Sequence, residues 1–84
     1  MTPNDALAAI RRHIAAGHWT VRNHAQKRMA QRNVTMKDIR SALMGARDCQ
    51  GKGTKWKVTG PDVDGDDLTC VVALENGVVV VTVY

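Results

Sequence analysis

The pair Asn76-Gly77 stands between two apolar runs, Leu68–Leu74 and Val78–Tyr84. Asn-Gly accepts the left-handed backbone that a two-residue hairpin turn demands, so the two runs read as neighbouring antiparallel strands. Upstream, Ala46–Gln50 and Thr54–Thr59 flank Gly51-Lys52-Gly53, which reads as a second hairpin. Between the hairpins, Gly60–Asp67 (GPDVDGDD) is expected to be a loop. An EF-hand needs acids at positions 1, 3 and 5, Gly at 6 and Glu at 12. With Asp62 taken as first, Gly65 and Glu75 both fall out of place, so the acidic loop is a turn and not a calcium site.

Before Gly45 the period changes from strand-like to helical. Thr2-Pro3-Asn4-Asp5 opens a helix with Thr at the N-cap and Pro at the first position. Leu7, Ile10 and Ile14 form one apolar stripe, and Gly17 supplies the stop. A second helix is expected from about Asn23 to Gln31, capped by Asn23. A third begins at Thr35, with Asp38 closing a capping box and Met36, Ile39 and Leu43 turned inward, and ends at Gly45. Three helices followed by four mainly antiparallel strands give an α+β fold with helices packed on one face of the sheet. The expected core is Leu7, Ile10, Ile14, Ala25, Met29, Ile39, Leu43, Trp56, Val58, Val72, Val79 and Val81.

With 84 residues the chain is expected to form a single domain, 1–84. No apolar run approaches the roughly 20 residues that cross a bilayer. The first residues lack a basic segment ahead of an apolar stretch, so no signal peptide is expected and the cytoplasm is the expected compartment. Cys49 and Cys70 have neither CxxC spacing nor a ligand pattern nearby, so they are read as reduced thiols, with no metal site and no cofactor.

Charge is distributed unevenly. Residues 1–59 hold all twelve Lys and Arg and three acids, a net +9, while residues 60–84 hold five acids and no Lys or Arg, a net −5. One reading is a surface for a polyanion beside an acidic contact surface. The other is that helices carry solubilising bases while loops carry Asp.

His24, Arg28 and Arg32 stand at four-residue steps in NHAQKRMAQR. On a helix turning 100° per residue, Arg28 and Arg32 lie about 40° and 80° from His24, with Ala25 and Met29 at about 100° and 140°. The row therefore borders the buried stripe, and neighbours four apart sit roughly 5–6 Å apart at Cβ, close enough to share one phosphate. Arg32 admits a structural reading as well, held by Asp38 or by backbone carbonyls.

HAQKRMAQR resembles the HA-x-x-R-M-x-x-R signature of the bacterial domain-of-unknown-function family 4258, and Val79–Tyr84 (VVVTVY) resembles its valine-rich terminal strand. TMKDIRSALMGA is similar to the segment between those motifs, so the likeness runs from about Ile14 to Tyr84. Asn33 stands where the family commonly has Gly, and Asn tolerates the same left-handed conformation. The family resembles RelE/ParE-type and BrnT-type toxins, some encoded beside antitoxins. That implies a RelE-like fold and a ribonuclease, either ribosome-dependent or free.

Metal-free RNA cleavage needs a base for the 2′-hydroxyl, a cation for the phosphorane oxygens and an acid for the leaving 5′-oxygen. His24 suits proton transfer and Arg28 suits the charged oxygens. Tyr84 is read as a base-stacking group or a proton-transfer aid, and Lys55, Trp56 and Lys57, with Arg32, as RNA-binding residues. The plainer reading of Lys55-Trp56-Lys57 is a solvated strand face over a buried Trp. Two other classes stay open: a non-catalytic module binding RNA, DNA or protein, and a pure interaction protein. Both faces of Val78–Tyr84 are apolar, which suits a central strand or one covered by an antitoxin or by a second copy in a homodimer through the sheet.

Overall fold

The structure is a computed structural model that describes residues 1–84. Thr2 and Asp5 close a capping box at the start of α1 (Pro3–Ala15), the Asp5 amide donating to Thr2 Oγ1 at 3.1 Å. Such a box satisfies two of the amides a helix start leaves orphaned. α1 buries Ala6, Ala9, Ile10 and Ile14, while Leu7 packs half-buried at the margin. The same device opens α3 (Met36–Met44), which buries Asp38, Ile39, Ala42 and Leu43. Between them lies α2 (Asn23–Arg32). Its cap is Arg22 rather than the expected Asn23, and no side chain satisfies its first amides.

The sheet has five strands rather than the four expected, and it is mixed. Trp19–Val21 forms β1, followed in chain order by β2 (Asp48–Lys52), β3 (Lys55–Pro61), β4 (Asp67–Leu74) and β5 (Val78–Val83). Their order is β1-β5-β4-β3-β2, with β1 parallel to β5 and every other pair antiparallel. Three residues are too few to display a strand period, and a parallel pairing has no hairpin turn to announce it. Tertiary contacts make this strand. The Val78 amide donates to the His18 carbonyl at 3.0 Å, and a Cβ on Gly77 would meet that carbonyl oxygen at 2.7 Å. Leu74 pairs with Val78, so the hairpin closes through a three-residue loop, Glu75–Gly77, rather than the two residues expected, with positive φ at Asn76 and Gly77. In the other hairpin the turn is Gly53-Thr54, not Gly51–Gly53, so β2 runs on through Lys52.

All three helices share one cluster with a single face of the sheet: Ile10, Ile14, Ala25, Met29, Ile39, Ala42 and Leu43 meet Val58, Leu68, Cys70, Val72, Val78, Val80 and Val83. Val79 and Val81, expected in this core, are half-buried instead. Val78 and Val80 point inward, so alternation turns Val79 and Val81 to the other face. A bulge follows: Val72 pairs with Val80 but Val71 pairs with Thr82, so Val81 is the extra residue and the inward parity passes to Val83 instead of Thr82. Trp56, also expected inside, packs half-buried at the cluster margin. Close backbone approach seats α3: a Cβ on Gly60 would strike the carbonyl of Ala42. No helix is long and apolar enough to cross a membrane.

Candidate nucleic-acid interface

Strand alternation places Lys55, Lys57 and Thr59 on the sheet face opposite Trp56 and Val58, the face without helices. Because Val83 points into the core, Tyr84 turns to that open face, and its backbone exchanges hydrogen bonds with Thr69 at 2.9 and 3.0 Å. The Lys57 ammonium stands 5.8 Å from the centre of the Tyr84 ring, at the limit of a cation–π contact. Beside this pair, the Thr59 and Thr69 hydroxyls share a hydrogen bond of 2.9 Å.

β1 pairs with β5 only as far as Val80, and the Arg22 amide continues the pairing to the Val80 carbonyl at 3.0 Å. Beyond that point β5 has no strand on this side, and α2 packs there in its place. Arg28, half-buried, reaches across so that its Nε donates to the Val83 carbonyl at 3.5 Å, a long and weak bond. Arg28, the middle residue of the row, thus meets the free edge of β5, level with the peptide that leads into Tyr84. Arg28, Lys57 and Tyr84, from three separate elements, converge at the end of β5.

The remaining site residues lie differently. His24 is exposed and no side-chain hydrogen bond orients its ring. Arg32 is exposed between exposed Gln31 and Asn33, and Asp38 does not hold it. Both Asp38 oxygens are taken: Oδ2 accepts from the Thr35 amide (2.9 Å) and hydroxyl (3.0 Å), and Oδ1 from the Val63 amide (3.1 Å). The wheel position of Arg32 suggested burial, but it is the last helical residue, where Asn33 adopts the left-handed conformation (φ 54°, ψ 39°) and turns the chain. Trp56 faces the helices, away from Lys55 and Lys57. Lys55 lines a separate depression of about 380 Å³ with Arg22, Thr54, Ala73, Leu74 and Glu75.

The contact between Lys57 and Tyr84 had no direct sequence signal, because register across β4 creates it. The acidic loop is a turn as expected, Asp62 Oδ1 accepting from the amides of Asp64 and Asp66 at 2.9 Å each. No three His, Cys, Asp or Glu side chains gather as a metal site would require. Some acids of residues 60–84 meet bases of residues 1–59 at the surface, Arg22 with Glu75 (3.2 Å) and Arg47 with Asp67 (2.9 Å), leaving Lys52, Lys55, Lys57 and the α2 row without acidic partners. Burial pushes the Cys70 thiol up to about 12 and, with the nearby Asp48 charge, raises Cys49 as well, so neither is a ready nucleophile.

No curated protein and no solved structure matches the chain. A family model does match, over residues 21–84, which takes in α2, α3, β2 to β5 and the last residue of β1. The chain belongs to the family described as domain of unknown function DUF4258.

Proposed function

We propose that the protein binds single-stranded RNA across the open sheet face and cleaves it without a metal at the margin between α2 and β5. The convergence of Arg28, Lys57 and Tyr84 carries this reading, because it sets a cation and an aromatic ring on a sheet face no helix covers, with the Arg28 guanidinium at the edge of β5 beside them. Stacking of a base on Tyr84 and phosphate contacts from Lys55, Lys57 and Arg32 would hold an extended strand. In the reaction, His24 takes the proton of a 2′-hydroxyl, whose oxygen attacks the adjacent phosphorus. Arg28 stabilises the charged phosphorane oxygens. The bond to the 5′-oxygen then breaks, that oxygen receives a proton from Tyr84 or from water, and a 2′,3′-cyclic phosphate remains.

The layout of helices on one face and a bare sheet on the other supports a RelE-like, toxin-like relationship, an argument from fold analogy. In that setting the RNA is ribosome-bound or free, and an antitoxin would act by covering the open face. A second reading, an RNA-binding module without catalysis, is favoured by one observation: nothing in the chain orients the His24 ring, whereas a general base is ordinarily held by a third group.

Purified protein incubated with RNA, with and without ribosomes and with EDTA, separates the two. The proposal expects EDTA-resistant cleavage to cyclic-phosphate ends, lowered about 100- to 10,000-fold by His24→Ala. Binding to 2′-O-methyl RNA without cleavage of ordinary RNA would leave the module reading. No RNA binding at low salt would reject both.

A further inference from the structure

β2 is an edge strand, and its outer backbone is bare. Four of its five residues are exposed, and its backbone makes no hydrogen bond outside the ladder with β3. The other edge, β1, is shorter, and α2 takes over where it ends. Natural sheets usually protect an edge with a bulge, a proline or an inward charge. Asp48-Cys49-Gln50-Gly51-Lys52 carries no proline, and its charges stand on the open face.

The pattern of this strand is self-complementary. A two-residue turn leaves its flanking pair, Lys52 and Lys55, bonded to each other, and antiparallel residues alternate from there. Gly51 and Cys49 therefore direct their N–H and C=O groups away from β3. Suppose a second copy lies antiparallel with Gln50 facing Gln50. Cys49 of each copy then meets Gly51 of the other, which is the pairing their free backbone groups require. On the open face the same register sets Asp48 of each copy opposite Lys52 of the other. Within one chain Lys52 faces Lys55, a like-charged pair, and Asp48 touches only Gln50 Nε2, at 2.9 Å. A second copy supplies what each lacks.

We infer that β2 is a homodimer interface in which two copies pair antiparallel about Gln50, joining their sheets into one continuous sheet with the helices on a common side. This interface is isologous, as a two-fold axis requires. It differs from covering the face of β5, and it stands whether or not the protein acts on RNA. The dimer would gather Lys52, Lys55 and Lys57 of both copies around the axis.

Edge pairing buries less surface than a standard interface, so a dissociation constant on the order of 10–100 μM is expected. Sedimentation equilibrium across that range should show monomer and dimer. Gly51→Pro should leave the monomer folded, since a proline on an edge strand loses only an outward N–H. A Cβ there meets Trp56 at an ordinary 3.6 Å. The same variant should abolish the dimer. Asp48→Lys and Lys52→Asp should each weaken it about tenfold, and combining them should restore it, because the exchanged charges meet again. A bismaleimide spanning roughly 8 Å, near the diagonal distance across a ladder, should link Cys49 to Cys49 while buried Cys70 stays unmodified. A protein that remains monomeric at 1 mM, or a dimer indifferent to Gly51→Pro or not restored by the charge exchange, would overturn the inference.

Discussion

α2 and α3 are neighbouring helices of similar length with opposite duties. α3 has a closed capping box, buries four residues and packs against β3, β4 and α1. α2 has no side-chain cap, buries only Ala25 and Met29, packs against β5, and carries exposed His24 and Arg32 with Arg28 at the free edge of that strand. Stability is concentrated in the helix that presents little to solvent, and charge in the helix that contributes least to the core. A surface row of cations costs a few tenths of a kcal/mol per like-charged pair, which a well-anchored neighbour tolerates easily.

The contrast is broken most directly in the core. Leu43→Ala, at a site with no exposure, should cost about 3–5 kcal/mol, while Met29→Ala, 9% exposed on α2, should cost about 2 kcal/mol. Urea denaturation of both variants tests this, and equal losses would erase the distinction between the helices.

Next in size is Asp38. Hydrogen bonds from the Thr35 and Val63 amides hold its carboxyl below the ordinary range, against burial, which raises it. A folded-state pKa below the unfolded value stabilises the protein above about pH 4, and this contribution fades as the pH falls through the folded value. Asp38→Ala should cost about 1–3 kcal/mol at pH 7 by removing the cap and the tie to the acidic loop. Asp38→Asn should flatten the acid limb of a stability–pH curve. An unchanged acid limb would mean that other carboxylates govern acid unfolding.

The smallest stability effects belong to α2. Arg32→Ala should change stability by no more than about 0.5 kcal/mol, and Arg28→Ala by about 0.5–1 kcal/mol, since it loses one weak bond and some packing. Their effect should appear in RNA affinity instead. Between roughly 50 and 200 mM salt, binding should fall steeply, and each variant should reduce the log–log salt slope by about 0.7. If either variant unfolds the domain, the row is structural and the comparison fails.

Local chemistry was readable without coordinates wherever a residue acts on its near neighbours. The Thr2 and Thr35 caps, the Asn76-Gly77 turn, the left-handed Asn33 and the outward alternation of Lys55 and Lys57 all arise within a few residues. The His24–Arg28–Arg32 row was also legible as a pattern, though not its surroundings. Decisions between distant segments were not legible. Trp19–Val21 is a strand because β5 offers a free edge there. Val78 and Val80 rather than Val79 and Val81 enter the core because pairing with β4 picks one face of a strand whose two faces are equally apolar in sequence, and a bulge then brings in Val83. Arg28 reaches the Val83 carbonyl, and Lys57 meets Tyr84, only once the sheet has assembled. Period and turn chemistry determined which elements form, β1 excepted. Pairing across the sheet decided which face of each is buried, and so which side chains meet at the end of β5.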